Sequence, residues 1–347
     1  APSGSWASAS HGGEGADRYE DTLFGHTYGS IVAPTNIGSS GYEGSAGGPA
    51  YGGGAVILSV SGTSTVNGLI TAIGKWTGYD GGSGGSVFLK TGHLAGSGAI
   101  RANGGGGVGG AGAGGGGRVA VILTNQDDFA AVTTEAKPAI TTSSPITSGG
   151  GAGTVYLQTR GQGPGQGTLI VDGASRSTTS ATILSSNVSD LAVGAVVIRN
   201  GATLELSTNQ TLSVRGSWSN GAVFVAREGS TVAFTGTASA DLVGSHLFVN
   251  LTAGDDGKTI RFEAGSTTTV QRTLTLLPGT TLRSATDGSP WWLILEEAGG
   301  TQQIGRVAVK DSQAGLGQTL RAPRGSVNLG NNANWLFPGT GALILVK

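Results

Sequence analysis

Short apolar runs recur along the first half of the chain, and glycine-rich segments separate them. Each copy has a glycine run, a short apolar segment with strand character, a polar turn, a second short apolar segment and another glycine run. The copies begin at Gly52, Gly84, Gly114 and Gly151. Their equivalent positions, which lie 31, 32 and 36 residues apart, are Val56, Val87, Val119 and Val155. The pattern predicts strands that recur with a nearly fixed period.

A period of this length is typical of one or two coils of a β-helix, in which each coil stacks on the one before and parallel strands align along the axis. Glycine between the strands permits tight corners and close approach of neighbouring backbones. We therefore predict a glycine-rich parallel β-solenoid domain over residues 1–175. The stretch Gly104–Gly117 holds 11 glycines among 14 residues. Because the same strand pattern flanks it on both sides, we predict a long loop or a glycine-packed surface there, not a linker.

From about Arg176 glycine becomes rarer, and threonine, valine and leucine dominate. Many short segments, such as Thr203–Ser207, alternate apolar and polar residues, and turns such as Asn200-Gly201 and Pro278-Gly279 separate them. Strand spacings of roughly ten residues also fit a β-sandwich. Because the strands are very short and the turn chemistry repeats, we predict a second β-solenoid domain over residues 176–338. No segment of ten residues has helical periodicity, so the chain is predicted to be all-β.

Composition excludes several classes of protein. Charged residues make up 12% of the chain and the formal net charge is -1, so there is no electrostatic basis for binding nucleic acid or an anionic membrane. The chain has no Cys, which excludes disulfides and thiolate metal sites. No apolar run approaches the roughly 20 residues that a membrane-spanning helix needs, so we predict no membrane span. The recurring β-branched runs argue against a disordered chain.

The start of the chain bears on its location. The chain contains no Met and begins with Ala1-Pro-Ser. This start predicts a mature product from which a signal or pro-segment has been removed. The alternative is a start introduced by cloning. Removal of a signal segment favours an extracellular or cell-surface location.

The first of two passages that resemble known families lies near the N-terminus. It joins Ser10–Glu14, Tyr28–Ser30, Pro34-Thr35 and Gly38–Gly41 to the glycine-strand repeats that follow. It resembles the glycine-rich segments of large secreted and surface proteins of bacteria and some eukaryotes, which are taken to be β-solenoids. The segment Asp17–Asp21 departs from that pattern, so any special role of it would belong to this protein.

The second passage is similar to a module common in bacterial adhesin-like β-helix proteins. Its motifs follow one another in the order Phe248–Thr252, Gly257–Ile260, Gly265–Val270, Leu274–Leu276, Trp291-Trp292, Val307–Ser312 and Gly330–Trp335. Together the two passages cover most of the chain. The resemblance implies a β-solenoid fold and an extracellular setting, and it carries no catalytic residues.

Two glycine motifs match enzyme signatures but lack the required structural context. Gly105, Gly107 and Gly110 have the spacing of a dinucleotide-binding loop, but the segment after them is predicted to be a strand, not the helix that would bind the pyrophosphate. Gly81–Gly85 matches a nucleophile elbow around Ser83, but the strand-turn-helix context is missing. Ser83 is therefore predicted to be a turn residue, and no catalytic or cofactor-binding residue is assigned.

Six potential metal ligands lie within 16 residues near the N-terminus. They are His11, Glu14, Asp17, Glu20, Asp21 and His26. Their oxygen and imidazole groups suit Ca²⁺ or Zn²⁺, and a structural Ca²⁺ is the one cofactor that we consider. The alternative is a solvated loop that caps the N-terminal end.

Aromatic side chains on the surface of a β-solenoid can stack on sugars. The candidates are Trp76, Tyr79, Trp218, Trp291 and Trp292. The alternative is that they pack in the core at the ends of the solenoid. A polysaccharide-cleaving β-helix needs an acidic cluster in a groove, and Glu296-Glu297 do not form one because neighbours on a strand point apart. We therefore predict that the chain is not an enzyme.

The last residues, 339–347, form a separate apolar segment. The passage that resembles the adhesin-like module ends at Asn334–Phe337, and Gly341–Lys347 follows it. Because open ends of solenoids must be capped or they pair with neighbours, we predict subunit contacts at Ala342, Leu343, Ile344, Leu345 and Val346. These residues would add as a strand to the next subunit or to the edge of the chain's own N-terminal domain. The alternative is a strand that completes the chain's own last sheet.

Together these inferences predict an extracellular structural or adhesive protein, a self-assembling subunit of a surface filament, sheath or layer, without catalysis. Its expected partners are further copies of the chain, joined head to tail or by strand addition into a homo-oligomer or polymer, and cell-surface glycans. The alternative is a secreted carbohydrate-binding or polysaccharide-cleaving β-helix protein. The two differ in whether exposed residues converge on a cleft or spread over an end or a face.

Overall fold

The computed structural model describes residues 8–16, 25–41, 48–76, 80–107, 112–141, 149–176, 178, 180–255 and 257–338. Across these residues the chain is all-β, without helix, and most strands pair in parallel. This confirms the predicted fold class at the level of an all-β chain. None of these residues belongs to a helix that is long and apolar enough to cross a membrane.

The contacts of the chain divide it into two compact units. The first comprises Ala1–Leu212 and Asn220–Arg227, and the second comprises Ser213–Ser219 and Glu228–Lys347. The predicted domains 1–175 and 176–338 stay a prediction. The predicted terminal segment 339–347 lies outside the described residues.

The first unit is built from parallel ladders. Its strands are β1 (Gly29–Ser30), β2 (Ala55–Thr65), β3 (Leu69–Thr71), β4 (Ser86–Ala95), β5 (Ala99–Arg101), β6 (Arg118–Leu123), β7 (Thr133–Glu135), β8 (Thr154–Gln158), β9 (Thr168–Asp172), β10 (Thr182–Leu184), β11 (Val188–Ser189), β12 (Ala192–Val193), β13 (Ala195–Arg199), β14 (Thr203–Leu206), β15 (Thr211–Val214, partly in the second unit), β16 (Trp218–Asn220, partly in the second unit) and β17 (Val223–Ala226). The ladders β2-β4-β6-β8, β3-β5-β7 and β10-β14-β17 are parallel, as are the pairs β9-β13 and β1-β11. β8 and β9 pair in antiparallel.

The second unit contains two further parallel ladders. Its strands are β18 (Thr231–Phe234), β19 (Ala240–Val243), β20 (His246–Ala253), β21 (Thr259–Phe262), β22 (Thr267–Leu276), β23 (Thr281–Ser284), β24 (Trp291–Leu295), β25 (Thr301–Ile304), β26 (Ala308–Val309), β27 (Ser312–Gln313), β28 (Leu320–Arg321), β29 (Val327–Asn328) and β30 (Trp335–Leu336). One ladder runs β19-β21-β23-β26-β29, and the other runs β18-β20-β22, from which β24 and β25 both continue. β27 follows β24, and β28 pairs with β30.

The core of the first unit follows the repeat that the sequence shows. Val56, Val87, Val119 and Val155 are register partners in β2, β4, β6 and β8. A second column, two residues further along each strand, contains Leu58, Leu89, Val121 and Leu157. Val87, Leu89, Val119 and Val121 are fully buried. Alternate residues of stacked parallel strands thus form the apolar columns of the core.

Extended glycine-rich segments form a second kind of interior. Segments 8–16, 80–85, 102–107, 112–117 and 149–153 belong to no strand, and most of their residues are buried. Residues 112–117 are buried throughout, so this part of Gly104–Gly117 is neither a loop nor a surface. That prediction is wrong for 112–117 because the segment packs through its backbone, for which a hydrophobic pattern gives no signal.

The peptide groups of segment 112–117 bond to several neighbouring segments with a period of three residues. Gly112 and Gly115 accept from Gly81 and Gly84, Ala113 and Gly116 accept from Ala16 and Gly13, and Gly114 and Gly117 donate to Gly105 and Ala102. A polyproline II helix has three residues per turn and no internal hydrogen bonds, so its peptide groups point outward in three directions. The hydrogen bonds indicate a bundle of such extended segments. Only glycine fits where the backbones touch, as at Gly114, whose added Cβ would lie 2.1 Å from the carbonyl oxygen of Gly82.

The core of the second unit contains aromatic side chains and a buried cation. Phe262 and Trp291 stack with ring centroids 3.6 Å apart, and Trp218 packs edge-on against Phe248 at 5.8 Å. Lys258 is fully buried. Its Nζ donates to the carbonyl oxygens of Arg215, Thr235 and Ala238 at 2.6, 3.0 and 2.8 Å.

Candidate functional site

An exposed apolar surface of the first unit lies on β2. This strand has 11 residues and pairs with β4 along one edge. No strand in the described part of the chain pairs with its other edge. Ile57 is 54% exposed, and Leu58 and Val60 are each 36% exposed. We call the free side of Ala55–Val60 the β2 edge.

The exposure of the β2 edge follows from its position at the start of the ladder. Leu58 is 36% exposed, whereas its register partner Leu89 in the next strand is fully buried. Val56 and Leu58 head the two apolar columns, and no described strand covers them. The core of the first unit is therefore open at this strand.

The β2 edge lacks most features that protect free strand edges. Natural edge strands carry charged residues, proline or bulges that prevent pairing with another chain. β2 contains no charged residue and no proline. Its register shifts once, between Val60 and Thr63, so the six residues Ala55–Val60 form an undisturbed strand. Such a surface is suited to accept another strand.

Further large apolar side chains are exposed in this part of the first unit, including one on the first strand of the ladder β3-β5-β7. β3 begins the ladder β3-β5-β7, and its Leu69 is exposed. The other large exposed apolar side chains from this part of the chain are Ile37, Tyr51, Ile73 and Trp76. Large contiguous apolar patches on a surface mark interaction sites.

The structure separates the aromatic residues that the sequence proposed for sugar stacking. Trp218 and Trp291 are fully buried in the core of the second unit, which is the alternative considered for them, and Trp292 is partly buried. Trp76 is 58% exposed. Tyr51 is also exposed, and the Lys75 ammonium lies 5.2 Å from the centroid of its ring. Tyr79 lies outside the described residues.

The potential metal ligands near the N-terminus have different surroundings. His11 is fully buried, its Nδ1 lies 2.8 Å from the carbonyl oxygen of Gly84, and burial together with the Arg118 charge lowers its pKa to about 4. Glu14 accepts a hydrogen bond from the Ala181 N–H, and burial raises its pKa to about 7. His26 is exposed.

The described residues contain no group of three His, Asp or Glu that could hold a metal ion. The other three potential ligands, Asp17, Glu20 and Asp21, lie outside the described residues. The metal site therefore stays a prediction. So do the subunit contacts at Ala342–Val346, which are also outside the described part of the chain.

Ser83 is buried and does not lie in a turn. It belongs to the extended segment 80–85, and its Oγ accepts a hydrogen bond of 2.8 Å from the Ser39 N–H. The prediction of a turn residue is wrong because the glycines around Ser83 permit close backbone packing here instead of a change of direction. The buried, hydrogen-bonded side chain of Ser83 therefore contributes to packing.

Arg118 is a buried cation that sequence reasoning missed. It is fully buried, its Nε donates to the carbonyl oxygen of Tyr28 at 2.9 Å, and its Nη1 donates to Thr154 Oγ1 at 2.9 Å. Burial lowers its pKa to about 10. Ser86, Arg118 and Thr154 are register partners. In the sequence, each of these polar residues directly precedes a valine of the repeat, and this recurrence was the available signal.

Arg118 and its row hold residues 25–41, which we call the N-terminal strap, against the sheet. Ser86 Oγ donates to the carbonyl oxygen of Asn36 at 2.6 Å. Thr27 Oγ1 donates to the carbonyl oxygen of Ile183. The strap also contributes Ile31 to the core, where it is fully buried. The polar row of Ser86, Arg118 and Thr154 therefore attaches the N-terminal strap to the sheet.

A small groove in the first unit carries two ion-paired carboxylates. Glu135 lies 2.7 Å from Lys137 Nζ, and Asp172 lies 2.8 Å from Arg199 Nε. Burial by itself would raise the pKa of Glu135, but hydrogen bonds from Lys137 and Asn103 and the neighbouring positive charges lower it below its ordinary value.

Asp172 has the same balance of effects, and its pKa is also lowered, by hydrogen bonds from Asn200, the Ala174 N–H and Arg199 and by the Arg199 charge. A pair of carboxylates that cleaves glycosidic bonds needs one member to remain protonated as a general acid. Both of these carboxylates are held ionised, so this groove is poorly suited to that reaction.

No family model, no curated protein and no solved structure matches this chain. Its function is therefore inferred from its own residues.

Proposed function

We propose that the chain is a parallel β-solenoid that serves as a self-assembling structural or adhesive subunit of an extracellular filament, sheath or layer, without a catalytic role. The observation that carries the proposal is the β2 edge, an unprotected strand edge at which the apolar columns of the first unit are open to solvent. Covering a surface of this kind with another chain is favourable, because it removes apolar groups from water and pairs the free strand edge.

The recurrence of the strands supports the solenoid. The first three glycine-strand copies each contribute one strand to the ladder β2-β4-β6 and one to the ladder β3-β5-β7. Stacked coils of a solenoid have this alternation, and they need terminal coils that are capped or paired. The first coil here lacks such a cap among the described residues.

The extracellular setting is supported by composition. With 20 Lys and Arg among 347 residues, the chain has few sites for trypsin-like proteases. The backbone-packed glycine segments add many hydrogen bonds without exposed side chains.

Electron microscopy and sedimentation velocity of the purified chain over a range of concentrations test the proposal. We expect filaments, tubes or layers with a regular subunit repeat, and a sedimentation coefficient that rises with concentration. Discrete monomers at every concentration would contradict it.

A second function is supported by the exposed rings of Trp76 and Tyr51. Aromatic faces on a surface bind sugars by stacking, so a glycan-binding role for this part of the first unit is the alternative. Quenching or a shift of tryptophan fluorescence on addition of oligosaccharides, lost in Trp76→Ala, would favour it. A glycan array without any bound sugar would oppose it.

A further inference from the structure

We infer that the β2 edge is the acceptor for the C-terminal segment Gly341–Val346 of a second copy of the chain. The segment adds as a parallel strand beside β2, with Gly341 opposite Gly54, Leu343 opposite Val56 and Leu345 opposite Leu58. This inference rests on the proposed function, since it names the contact through which the copies assemble.

The first support is a glycine, Gly54, that no contact with the described residues explains. Gly54, Gly85, Gly117 and Gly153 occupy equivalent positions directly before β2, β4, β6 and β8. In the later three, an added Cβ would lie 2.0 to 2.1 Å from a carbonyl oxygen of the preceding coil. At Gly54 an added Cβ would meet no atom of the described residues within 4 Å, and its φ is not positive.

Glycine at position 54 is therefore explained if another backbone approaches there. In the later coils the approaching carbonyl belongs to the glycine of the coil before: a Cβ added to Gly85 would lie 2.0 Å from the carbonyl oxygen of Gly54. A coil-like segment from outside would place its own glycine carbonyl against Gly54 in the same way. The expected ligand is thus a strand that begins with glycine.

The second support is the sequence of the C-terminal segment. Gly341-Ala-Leu-Ile-Leu345 repeats the pattern of Gly54-Ala-Val-Ile-Leu58, with one exchange of leucine for valine. The two segments therefore have the same glycine before the strand and the same alternation of side chains. Aligned in parallel, they continue the register by which β2, β4, β6 and β8 already stack.

The aligned strand would complete the core columns. Leu343 would extend the column of Val56, and Leu345 would cover Leu58, which is 36% exposed. Ile344 would lie beside the exposed Ile57 on the other face. A strand that is apolar on both faces is typical of a position buried on both faces. The donor and the acceptor share this property.

The donor and the acceptor belong to different parts of the chain. The acceptor is the first long strand, and the donor follows the last described residue, Pro338. A contact between two different surfaces of identical chains can repeat and form an open polymer or a ring. The nine residues 339–347 span at most about 30 Å when extended, which is enough for a short linker and a strand of five residues.

Three proteins test the inference by sedimentation velocity: the wild-type chain, the Gly54→Ala variant, and a shortened chain that ends at Gly341. Gly315→Ala is the matched control, because an added Cβ there also meets no atom of the described residues within 4 Å but the residue lies in the second unit. We expect association at least about tenfold weaker for Gly54→Ala and for the shortened chain. The control should associate like the wild type.

Mixing gives a second readout that does not depend on a single variant. Gly54→Ala keeps the donor segment, and the shortened chain keeps the acceptor, so an equimolar mixture should form heterodimers that neither forms alone. A labelled synthetic peptide with the sequence of Gly341–Lys347 should bind the shortened chain and not its Gly54→Ala form. Equal thermal unfolding of Gly54→Ala and wild type excludes misfolding as the cause.

The outcomes separate this inference from the proposed function. If the wild type assembles and both altered chains assemble equally well, the copies meet elsewhere, so the inference is wrong and self-assembly stands. If the wild type stays monomeric while the peptide binds the shortened chain, the occupant is the chain's own C-terminal segment, and the second-copy contact is wrong. A wild type that stays monomeric and a peptide that does not bind would overturn both.

Discussion

Lys258 shows how one side chain can satisfy several backbone groups in the second unit. Its Nζ donates to three carbonyl oxygens, from Arg215, Thr235 and Ala238, and the side chain is fully buried. Thr235 and Ala238 lie between β18 and β19, whereas Arg215 follows β15, so the ammonium joins two segments that are distant in sequence. A buried cation is tolerated when each of its protons is bonded.

Replacing Lys258 by Met should destabilise the chain strongly. The apolar stem is kept, but three carbonyl groups lose their donor, and the cost should be about 3 kcal/mol in the free energy of unfolding. Lys310→Met is a suitable comparison, because Lys310 forms a surface ion pair with Asp287 and such pairs contribute about 1 kcal/mol or less. Denaturant unfolding measures both. Equal losses in the two variants would show that the carbonyl contacts contribute little.

His246 is a buried imidazole in the same unit. Its ring stacks on Phe248 at 5.5 Å and meets Trp218 edge-on at 6.4 Å. Neither ring nitrogen has a hydrogen-bond partner among the described residues, and burial lowers the pKa of His246 to about 4. The folded chain therefore holds this ring neutral at pH values at which an unfolded chain would protonate it.

Stability should consequently fall on acidification. The unfolded chain binds the proton with a pKa near 6.5 and the folded chain with a pKa of about 4, so the contribution is intact above 6.5 and is lost as pH falls from 6.5 to 4. His246→Phe should reduce this loss by up to about 3 kcal/mol, as measured by unfolding at pH 7 and pH 4. His11 also has a lowered pKa, so some loss should remain. A variant with the full slope of the wild type would contradict the assignment.

At the scale of elements, the first unit combines two packing modes. The strands stack their alternate side chains in apolar columns, whereas segments such as 112–117 pack backbone against backbone. Glycine costs conformational entropy on folding. Here the peptide hydrogen bonds and the close contacts that glycine permits offset that cost.

Gly54, Gly85, Gly117 and Gly153 stack in a column directly before β2, β4, β6 and β8. The effect of replacing one of them by alanine should depend on its position in this column. Gly117→Ala would place a Cβ 2.1 Å from the carbonyl oxygen of Gly85, and the backbone on both sides must move. We expect a loss of at least about 3 kcal/mol in the free energy of unfolding. Gly54→Ala, at the open end of the same column, should be neutral or slightly stabilising in the isolated chain. Thermal unfolding of dilute protein compares the two, and similar losses would show that close packing is not the cause.

The sequence predicted those elements that are marked by side chains. The spacing of Val56, Val87, Val119 and Val155 gave the ladder and its register, because large apolar residues at equivalent positions have to face one core. It did not predict the interior position of 112–117, because a segment without side chains gives no hydrophobic pattern. Of the candidate site, the C-terminal segment that we propose as the donor was visible as an apolar run. The acceptor was not, because an apolar strand at an edge has the same composition as one in the middle of a sheet.

At the scale of the whole molecule, contacts between distant parts of the sequence dominate the first unit. The strap pairs β1 with β11, which joins Gly29 to Val188, and Arg118 bonds to Tyr28 across 90 positions. No local sequence pattern predicts such pairings, because the partners come together only when the coils have formed. For this reason the sequence suggested a loop for residues such as His11 and Glu14, whereas in the structure His11 is fully buried and Glu14 is partly buried.

The attachment of the strap also sets an order of events during synthesis. Residues 25–41 leave the ribosome some 150 residues before their partners in β10 and β11. At translation rates of about 5–20 residues per second, the β10 and β11 part of the strap's binding site is missing for roughly 8 to 30 seconds. Until the strap closes over it, the Arg118 guanidinium lacks the carbonyl oxygen of Tyr28 as a partner. Closure of the strap, which dehydrates that guanidinium, is thus a late step in the maturation of the first unit.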